Sequence, residues 1–444
     1  MSNPLWSHQQ AAYDFIAPLK AAGLFFSMGC GKTLVALELL RRWETNFAVV
    51  VAPKAVLQVW EREAKKHFNG LFNVTVLKGT LPARTKQAEQ AIRHQGSIVV
   101  VNYEAVWRDP LASLLLKSLP GAIILDEAHK IKAPGGKASR FLAKLGHLAQ
   151  RRLALTGTPM PHSPLDTYAM YRFLDPHIFG FSFTRFRARY AVMGGYGGYE
   201  IKGWVNLEEL HEKMYSIAYR VRSEDVLDLP ETMDEVLTFE LSSKAKKIYQ
   251  DMEKNLIAAL ETGEVTAANA LVRLLRLSQV TGGWLRPDDS DRYEQVDTGK
   301  QELLKELLES AGQEQVVVFC RFTQDIVSVH AVCKELGIVC AELSGKCNEL
   351  QIWEEHKAQV IVIQIQSGGL GIDLSQSRYC VYYSVGYSLG DYQQSRARVH
   401  RPGQLRKVTY YHLVSENTID VKVLKALGCR GDLVKGIIDD MRKK

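Results

Sequence analysis

Leu24-Phe25-Phe26-Ser27-Met28-Gly29-Cys30-Gly31-Lys32-Thr33 is the stretch from which the fold of this chain is read. A short apolar run ends in a glycine-flanked turn, and the helical pattern Leu34 to Trp43 begins at once. Strand, glycine turn and helix make the opening half of a βαβ unit. Glycines let backbone N–H groups face phosphate oxygens at a helix N-terminus, where the dipole favours anions. Met28, Gly29, Cys30, Gly31, Lys32 and Thr33 would then cradle the phosphates of ATP, with Lys32 at the β- and γ-phosphates and Thr33 on Mg2+. The full Gly-x-x-x-x-Gly-Lys-Thr form is not met, because Phe26 stands at its first glycine. Alone, the segment also suits a Gly-Lys turn that binds nothing.

Outward from this turn, short β-branched runs alternate with helical patterns in two blocks. Ala48 to Ala52, Ile98 to Val101, Ala122 to Leu125 and Arg152 to Leu155 read as buried parallel strands in the first. Val316 to Phe319, Ile338 to Ala341, Val360 to Ile363 and Tyr379 to Tyr382 repeat the scheme in the second. Runs this short, separated by helix-length segments, predict an α/β protein of two doubly wound lobes. Between the blocks the sequence changes character. An aromatic-rich helical stretch (Tyr168 to Tyr190) precedes the glycine-rich Gly194 to Tyr199, and two amphipathic stretches follow, Ser242 to Glu261 and Thr266 to Gln279. The polar Arg286 to Thr298 reads as a linker. The expected division is residues 1–160, a mainly helical insertion with linker over 161–298, and 299–444. Packing within the insertion is the favoured role for its aromatic cluster, over base stacking. The glycine-rich piece reads as an exposed hairpin rather than a strand-separating wedge.

Two further segments carry chemistry. Ile123-Ile124-Leu125-Asp126-Glu127-Ala128-His129 places two carboxylates just past a buried strand, where ligands sit in open α/β sheets. Asp126 would hold Mg2+ through water, and Glu127 would polarise the attacking water. Solvated acids at a strand end are common, but their position downstream of Gly-Lys-Thr favours the catalytic reading. Gln394-Ser-Arg-Ala-Arg-Val-His-Arg-Pro-Gly-Gln404 puts Arg398 and Arg401 three apart, on one helical face if the helix runs to Pro402. Guanidiniums aimed at a triphosphate stabilise transition-state charge, worth ~10³–10⁵ in rate in other nucleotide hydrolases. A basic, solvated or DNA-facing helix is the alternative for this segment taken alone.

Bulk properties exclude several classes. The 444 residues are 46% hydrophobic and 24% charged, the balance of a globular protein with a real core. Apolar runs are strand-sized, well short of the ~20 residues that span a bilayer. The N-terminus has no basic region followed by an apolar stretch, so a cytoplasmic protein without a signal peptide is expected. A formal net charge of +7 tolerates a polyanionic partner without demanding one. The seven cysteines include no Cys-x-x-Cys pair, and the repeat Cys333, Cys340, Cys347 lacks histidines at ligand spacing, so no zinc is expected.

In order and approximate spacing, these segments resemble the superfamily two helicases and translocases, in their Swi/Snf branch. Gln9 in Leu5-Trp-Ser-His-Gln9 is similar to the branch's adenine-sensing glutamine. Met28 to Thr33 resemble motif I, although Phe26-Ser27 replace its usual acidic pair. Val51-Ala-Pro-Lys54 with Trp60 resemble motif Ia, and Asp126 to His129 motif II. Leu155-Thr156-Gly157-Thr158-Pro159 resemble motif III, which couples hydrolysis to movement. In the second lobe, Phe319 to Phe322 resemble motif IV and Ser367 to Leu374 motif V, with Asp373 where many relatives carry asparagine. Arg398 to Gln404 are similar to motif VI.

The resemblance implies two tandem RecA-like lobes and an ATP- and Mg2+-using motor on DNA, duplex or branched. It also implies nucleotide contacts from Gly371 and Asp373, coupling through Gln394, and backbone contacts near Lys54, Arg321, Ser367 and Gly368. The succession Arg172 to Pro176, Tyr199 to Gly203, Asn206 to Leu210 and Tyr219 to Pro230 looks most like the annealing-helicase subgroup, which remodels stalled forks, though Val221 stands where an arginine is usual. A bare motor of this length resembles forms found in bacteria, their viruses and mobile elements. Fork regression or branch migration is the implied task. Displacement of DNA-bound proteins and an ATP-gated binding module are the alternatives, and an RNA helicase is disfavoured by the subgroup resemblance alone.

Overall fold

A computed structural model describes residues 4–161, 163–194, 200–261, 267–286, 292–365 and 372–427. The chain folds into two compact units, Met1–Asp228 and Leu229–Lys444.

The first unit is built on a seven-stranded sheet. Its strands are β1 (Ala21–Phe26), β2 (Phe47–Ala52), β3 (Val74–Val76), β4 (Ser97–Asn102), β5 (Ala122–Asp126), β6 (Arg151–Leu155) and, further along the chain, Ala218–Val221. A separate antiparallel hairpin pairs β7 (Ala191–Gly194) with β8 (Glu200–Trp204), so Ala218–Val221 is β9. The order is β3-β4-β2-β5-β6-β1-β9, and every pair is parallel. Parallel sheets are covered on both faces, and the strands show it. Alternate residues of β1 enter different cores: Phe25 packs with Val49, Val99 and Ile123, whereas Leu24 and Phe26 pack with Val50, Ile124 and Leu155 on the other face.

The aromatic stretch belongs to the first of those cores. Tyr168, Tyr171 and Phe173 on the helix Thr167–Leu174, and Phe186 and Tyr190 on Phe183–Tyr190, are all at most 2% exposed. A buried ring removes ~150–250 Å2 from water, about 4–6 kcal/mol at ~25 cal/mol per Å2. Stacking on a base returns only ~1–3 kcal/mol. These rings are core.

The second unit carries a six-stranded parallel sheet. Its strands are β10 (Thr232–Phe239), β13 (Val316–Cys320), β14 (Cys340–Leu343), β15 (Val360–Gln364), β16 (Tyr379–Tyr382) and β17 (Val408–Ser415), in the order β10-β17-β16-β13-β15-β14. The short pair β11 (Trp284–Leu285) and β12 (Glu294–Gln295) stands apart. The amphipathic helices appear as Ser243–Glu261 and Ala267–Thr281, packed together through Ala245, Tyr249, Leu274 and Leu277.

Residues 161–298 are shared between the two units, and they contribute strands as well as helices: β9 edges the first sheet and β10 the second. β14 begins at Cys340, two residues later than Ile338, because Gly337 turns the chain at φ 67° and Ile338 bonds back to Cys333. The glycine-rich stretch from Gly195 to Tyr199, the first part of the expected linker (residues 287–291) and the C-terminal tail beyond Leu427 lie outside the described residues.

Candidate functional site

The helix Lys32–Trp43 starts at Lys32, with Gly31 as its left-handed cap (φ 85°) and Gly29 also at positive φ (84°). Its first turn, with Thr33, therefore presents unpaired N–H groups at the C-terminal end of β1. The Lys32 ammonium folds back along the loop and donates to the Phe26 carbonyl at 2.9 Å. Val221 on β9 holds the loop's entry, accepting from Ser27 N–H at 2.9 Å. Gln9, 3% exposed, spans the loop's middle: Nε2 donates to the Cys30 carbonyl at 3.1 Å while Oε1 accepts from Trp6 N–H at 3.0 Å. His8 Nε2 lies 3.2 Å from the same carbonyl. Burial pushes the Cys30 thiol up to about 11, so it stays protonated beside the lysine.

Asp126 ends β5 and is 8% exposed. Its Oδ2 accepts from the Trp60 indole at 3.0 Å and its Oδ1 from Glu127 N–H at 3.0 Å. Burial raises its carboxyl to about 6 and the adjoining Glu127 adds to the rise, opposed by the Trp60 hydrogen bond and the Lys32 charge. Tyr103 supports the same turn, its hydroxyl donating to the Asp126 carbonyl at 2.8 Å. A buried carboxylate penalised for its charge gains from a cation, and with the Thr33 hydroxyl it offers the hard oxygen donors Mg2+ takes.

Glu127 adopts a left-handed conformation (φ 52°, ψ 52°), a strain of ~1–3 kcal/mol for a non-glycine residue. Its carboxylate lies 3.3 Å from His129 Nδ1, and that nitrogen is also 3.3 Å from the Thr156 hydroxyl. Thr158 N–H donates to the same hydroxyl at 3.1 Å. Gly157 packs so closely on β1 that a Cβ there would sit 3.2 Å from the Phe26 carbonyl. Lys32, Asp126, Glu127 and Thr156 thus gather at one rim of the first sheet. Lys54, exposed on a single turn just past β2, makes no ion pair among the described residues.

In the second unit the helix Leu389–Val399 carries Gln394, half-buried, and Arg398, 7% exposed. It stops before Arg401, which corrects the expectation of a helix running to Pro402. A residue preceding proline is excluded from the helical region, and His400 already leaves it (φ −93°, ψ 87°). Arg401 and Arg398 are instead held by the same backbone. Arg401 Nη1 donates to the Ile372 carbonyl at 3.0 Å and its Nε lies 3.7 Å from Asp373, while Leu374 N–H donates to the Arg398 carbonyl at 3.0 Å. Asparagine at 373 would leave that ion pair uncharged. Gln404 Nε2 donates to the carbonyls of Ser375 (2.9 Å) and Ser377 (2.7 Å). Arg321 follows β13, anchored by its N–H to the Ser384 hydroxyl at 2.7 Å, with burial lowering the pKa of its guanidinium. Ser367, Gly368 and Gly371 lie outside the described residues.

Three supports were not legible as site residues. Tyr103 has no local pattern around it, and His8 stands in the Leu5 to Gln9 segment, where Gln9 alone was the candidate. Asp234 on β10 grips Arg396 of the helix Leu389–Val399 with both carboxylate oxygens, Oδ2 at 2.9 Å, while the guanidinium lies 3.8 Å from the Tyr410 ring centroid. His400 Nε2 donates to the Pro230 carbonyl at 2.8 Å, so the strand's start holds both sides of the arginine segment.

Residues 8–282 match the SNF2-related domain and residues 299–403 the helicase conserved C-terminal domain. The chain is 25% identical over 462 residues to the putative protein p41 of Acyrthosiphon pisum secondary endosymbiont phage 1, covering 98% of each. It is 23% identical over 471 residues to a DNA repair and recombination protein RAD54-like of Danio rerio, covering 93% of this chain and 63% of the relative. It is 24% identical over 430 residues to the CHD3-type chromatin-remodeling factor CHR7 of Arabidopsis thaliana, covering 90% and 34%. The chain therefore spans nearly all of the phage protein and only part of the two eukaryotic ones. Among solved structures, the Sulfolobus solfataricus SWI2/SNF2 ATPase core in complex with dsDNA is similar at 23% identity and a TM-score of 0.48, covering 100% of this chain and 94% of that one.

Proposed function

The chain belongs to the SNF2-related family, and we propose that it is an ATP-driven motor that moves on duplex DNA and remodels branched DNA, by fork regression or branch migration. The observation that carries the ATP-driven part of this reading is the rim of the first sheet, while the branched-DNA part rests on the likeness of the sequence between the lobes to the annealing-helicase subgroup. A lysine-bearing phosphate loop, a buried carboxylate and a second, strained carboxylate converge there, and the second is tied through His129 to Thr156. A rim built to bind and cleave a phosphoanhydride, with a built-in connection leading away from it, suits an engine better than a storage site.

In this reading Met28 to Thr33 bind the phosphates of ATP and Lys32 exchanges the Phe26 carbonyl for them. Thr33 and, through water, Asp126 would hold Mg2+, which would supply charge neutralisation for the transferring group. Glu127 takes the proton side of the water's attack, with His129 orienting its carboxylate. Arg398 and Arg401 supply positive charge to the transition state, and Asp373 sets the direction of Arg401. Gln9 reports occupancy through the Cys30 carbonyl, and Gly371 lines the nucleotide. Thr156, Gly157, Thr158 and Gln394 couple the chemistry to movement. Lys54, Arg321, Ser367 and Gly368 hold the DNA backbone, which makes binding sequence-independent and salt-sensitive.

A second reading, removal of proteins from DNA without strand separation, is favoured by the chromatin-remodeling name of the Arabidopsis relative. Fork and four-way-junction substrates, run against a duplex carrying a bound protein roadblock, separate the two. Regression of the fork supports the first reading. Roadblock clearance with intact forks supports the second. Neither activity survives Lys32→Ala or Glu127→Gln if hydrolysis drives it, whereas an ATP-gated binding module would keep its function in both.

A further inference from the structure

The second unit contains a cavity of about 190 Å3 that the ATP chemistry does not use. It lies where the helix Ala267–Thr281, the β11–β12 pair and the loop after β13 meet. Trp284, Tyr293, Phe322, Arg321, Gln279 and Gln324 line it. Pockets for drug-sized ligands run to ~300–1,000 Å3, so this one takes a single ring system rather than a whole nucleotide.

Its walls suit a flat, hydrogen-bonding heterocycle. Three aromatic side chains and a guanidinium offer stacking planes, and amides offer both donors and acceptors. The indole of Trp284 is fixed in advance: its N–H donates to the Ser328 hydroxyl at 2.8 Å, and Gln301 donates to that hydroxyl at 2.9 Å. Gly283, at φ 91° and with the Asp297 carbonyl 2.4 Å from where a Cβ would sit, brings the indole into place. Two polar atoms of the lining residues are left over: Gln279 Oε1 and Arg321 Nε are buried and have no hydrogen-bond partner among the described residues. Unpaired buried polar atoms are uncommon, and a turn of the Gln279 amide towards the cavity would let it pair with a polar ring edge. The wall also includes Asp325, 1% exposed and spent on Phe322 N–H (3.2 Å) and the Ser384 hydroxyl. A buried acid disfavours a phosphate and leaves a neutral base as the fitting occupant.

We propose that this cavity receives one unpaired nucleobase of a DNA strand. A base held in a duplex offers no free face, so the cavity engages DNA only where strands are already open. The proposal rests on the reading of the chain as a DNA motor and adds a contact that distinguishes open from closed DNA.

The test uses the full chain and a forked DNA with 2-aminopurine at unpaired positions next to the junction. Wild type quenches the 2-aminopurine on binding. Trp284→Leu removes the quench and loses roughly ten-fold in affinity for the fork, the size expected of one base stack. Its affinity for blunt duplex and its duplex-stimulated ATPase remain within two-fold or so. Trp284→Phe retains most of the quench. Should Trp284→Leu fail to fold, Gln279→Ala is read in the same assay and should weaken the quench. An equal quench in wild type and Trp284→Leu, or none in a wild type whose ATPase responds to duplex, overturns this proposal alone. A wild type with no response to any DNA overturns the motor reading instead.

Discussion

The side-chain amide of Gln9 donates to the carbonyl of Cys30 at 3.1 Å, so the helix Ser7–Ile16 grips the glycine loop after β1 by its middle. The next residue, Gly31, has no room for a side chain: a Cβ would sit 2.2 Å from Gln9 Nε2, and φ is 85°. Gly31→Ala should therefore lose ATP binding and at least ~1 kcal/mol of stability. Adding Gln9→Ala removes the clash but not the left-handed strain. The double variant should regain part of the melting temperature and none of the nucleotide affinity, measured by thermal melting and fluorescent-nucleotide titration. Full recovery of binding would show that the loop's conformation does not matter.

Thr156 is fully buried and meets His129 across the rim. Thr156→Val keeps the shape and removes the hydroxyl that both His129 and Thr158 N–H use. Loss of DNA stimulation by about ten-fold is expected, the rate equivalent of ~1.4 kcal/mol, with the unstimulated rate nearly unchanged. Steady-state ATPase with and without duplex reads both. An equal fall in both rates would place Thr156 in the chemical step rather than in coupling.

Asp234 reaches across from an edge strand to orient the helix that carries Arg398. The carboxylate is about half exposed, so the pair itself contributes only ~1 kcal/mol to stability. Its effect should appear in turnover. Asp234→Ala lowers kcat several-fold with KM for ATP unchanged, and Asp234→Glu restores most of it. A KM effect of the same size would argue that Asp234 acts on nucleotide binding instead.

His412 is 2% exposed, stacked on Tyr382 and within 2.9 Å of the Tyr392 hydroxyl, and burial lowers its pKa from 6.5 to about 4. Between those values the unfolded chain binds the proton and the folded one does not. Its stabilising effect is complete above pH 6.5 and is lost as pH falls towards 4, up to ~3 kcal/mol at ~1.4 kcal/mol per unit. Asp126 and Asp325, both raised to about 6 by burial, run in the opposite sense. Comparing wild type with His412→Asn between pH 7 and 4.5 by urea unfolding isolates the histidine. The variant should lose less stability over that range.

The placing of the candidate site residues was legible where they are local in sequence. Lys32 and Thr33 follow their glycines directly, and Asp126 and Glu127 sit at and just past the end of their strand, so two short windows hold the rim of the first sheet. What supports them is not local. Trp60 reaches Asp126 from 66 residues away because β2, which precedes its helix, pairs with β5. Asp234 meets Arg396 across 162 residues because β10 pairs with β17 in parallel. Both edge strands were hidden inside a stretch read as mainly helical. β10 alternates exposed and half-buried residues, which suits an edge more than a buried run. The aromatic cluster was readable as packing because its rings recur at helical spacing. The end of the arginine helix was misplaced because Pro402 acts one residue ahead of itself, and His400 ends the helix before that.

A DNA motor ties its ATP hydrolysis to DNA. The most direct test is the steady-state ATPase rate of the full chain with no nucleic acid, duplex DNA, forked DNA, single-stranded DNA and RNA, with Lys32→Ala as the blank. Strong stimulation by duplex and forked DNA, little by RNA, and no rate above background in Lys32→Ala is the predicted result. A rate that no DNA raises would mean that this chain is not a DNA motor.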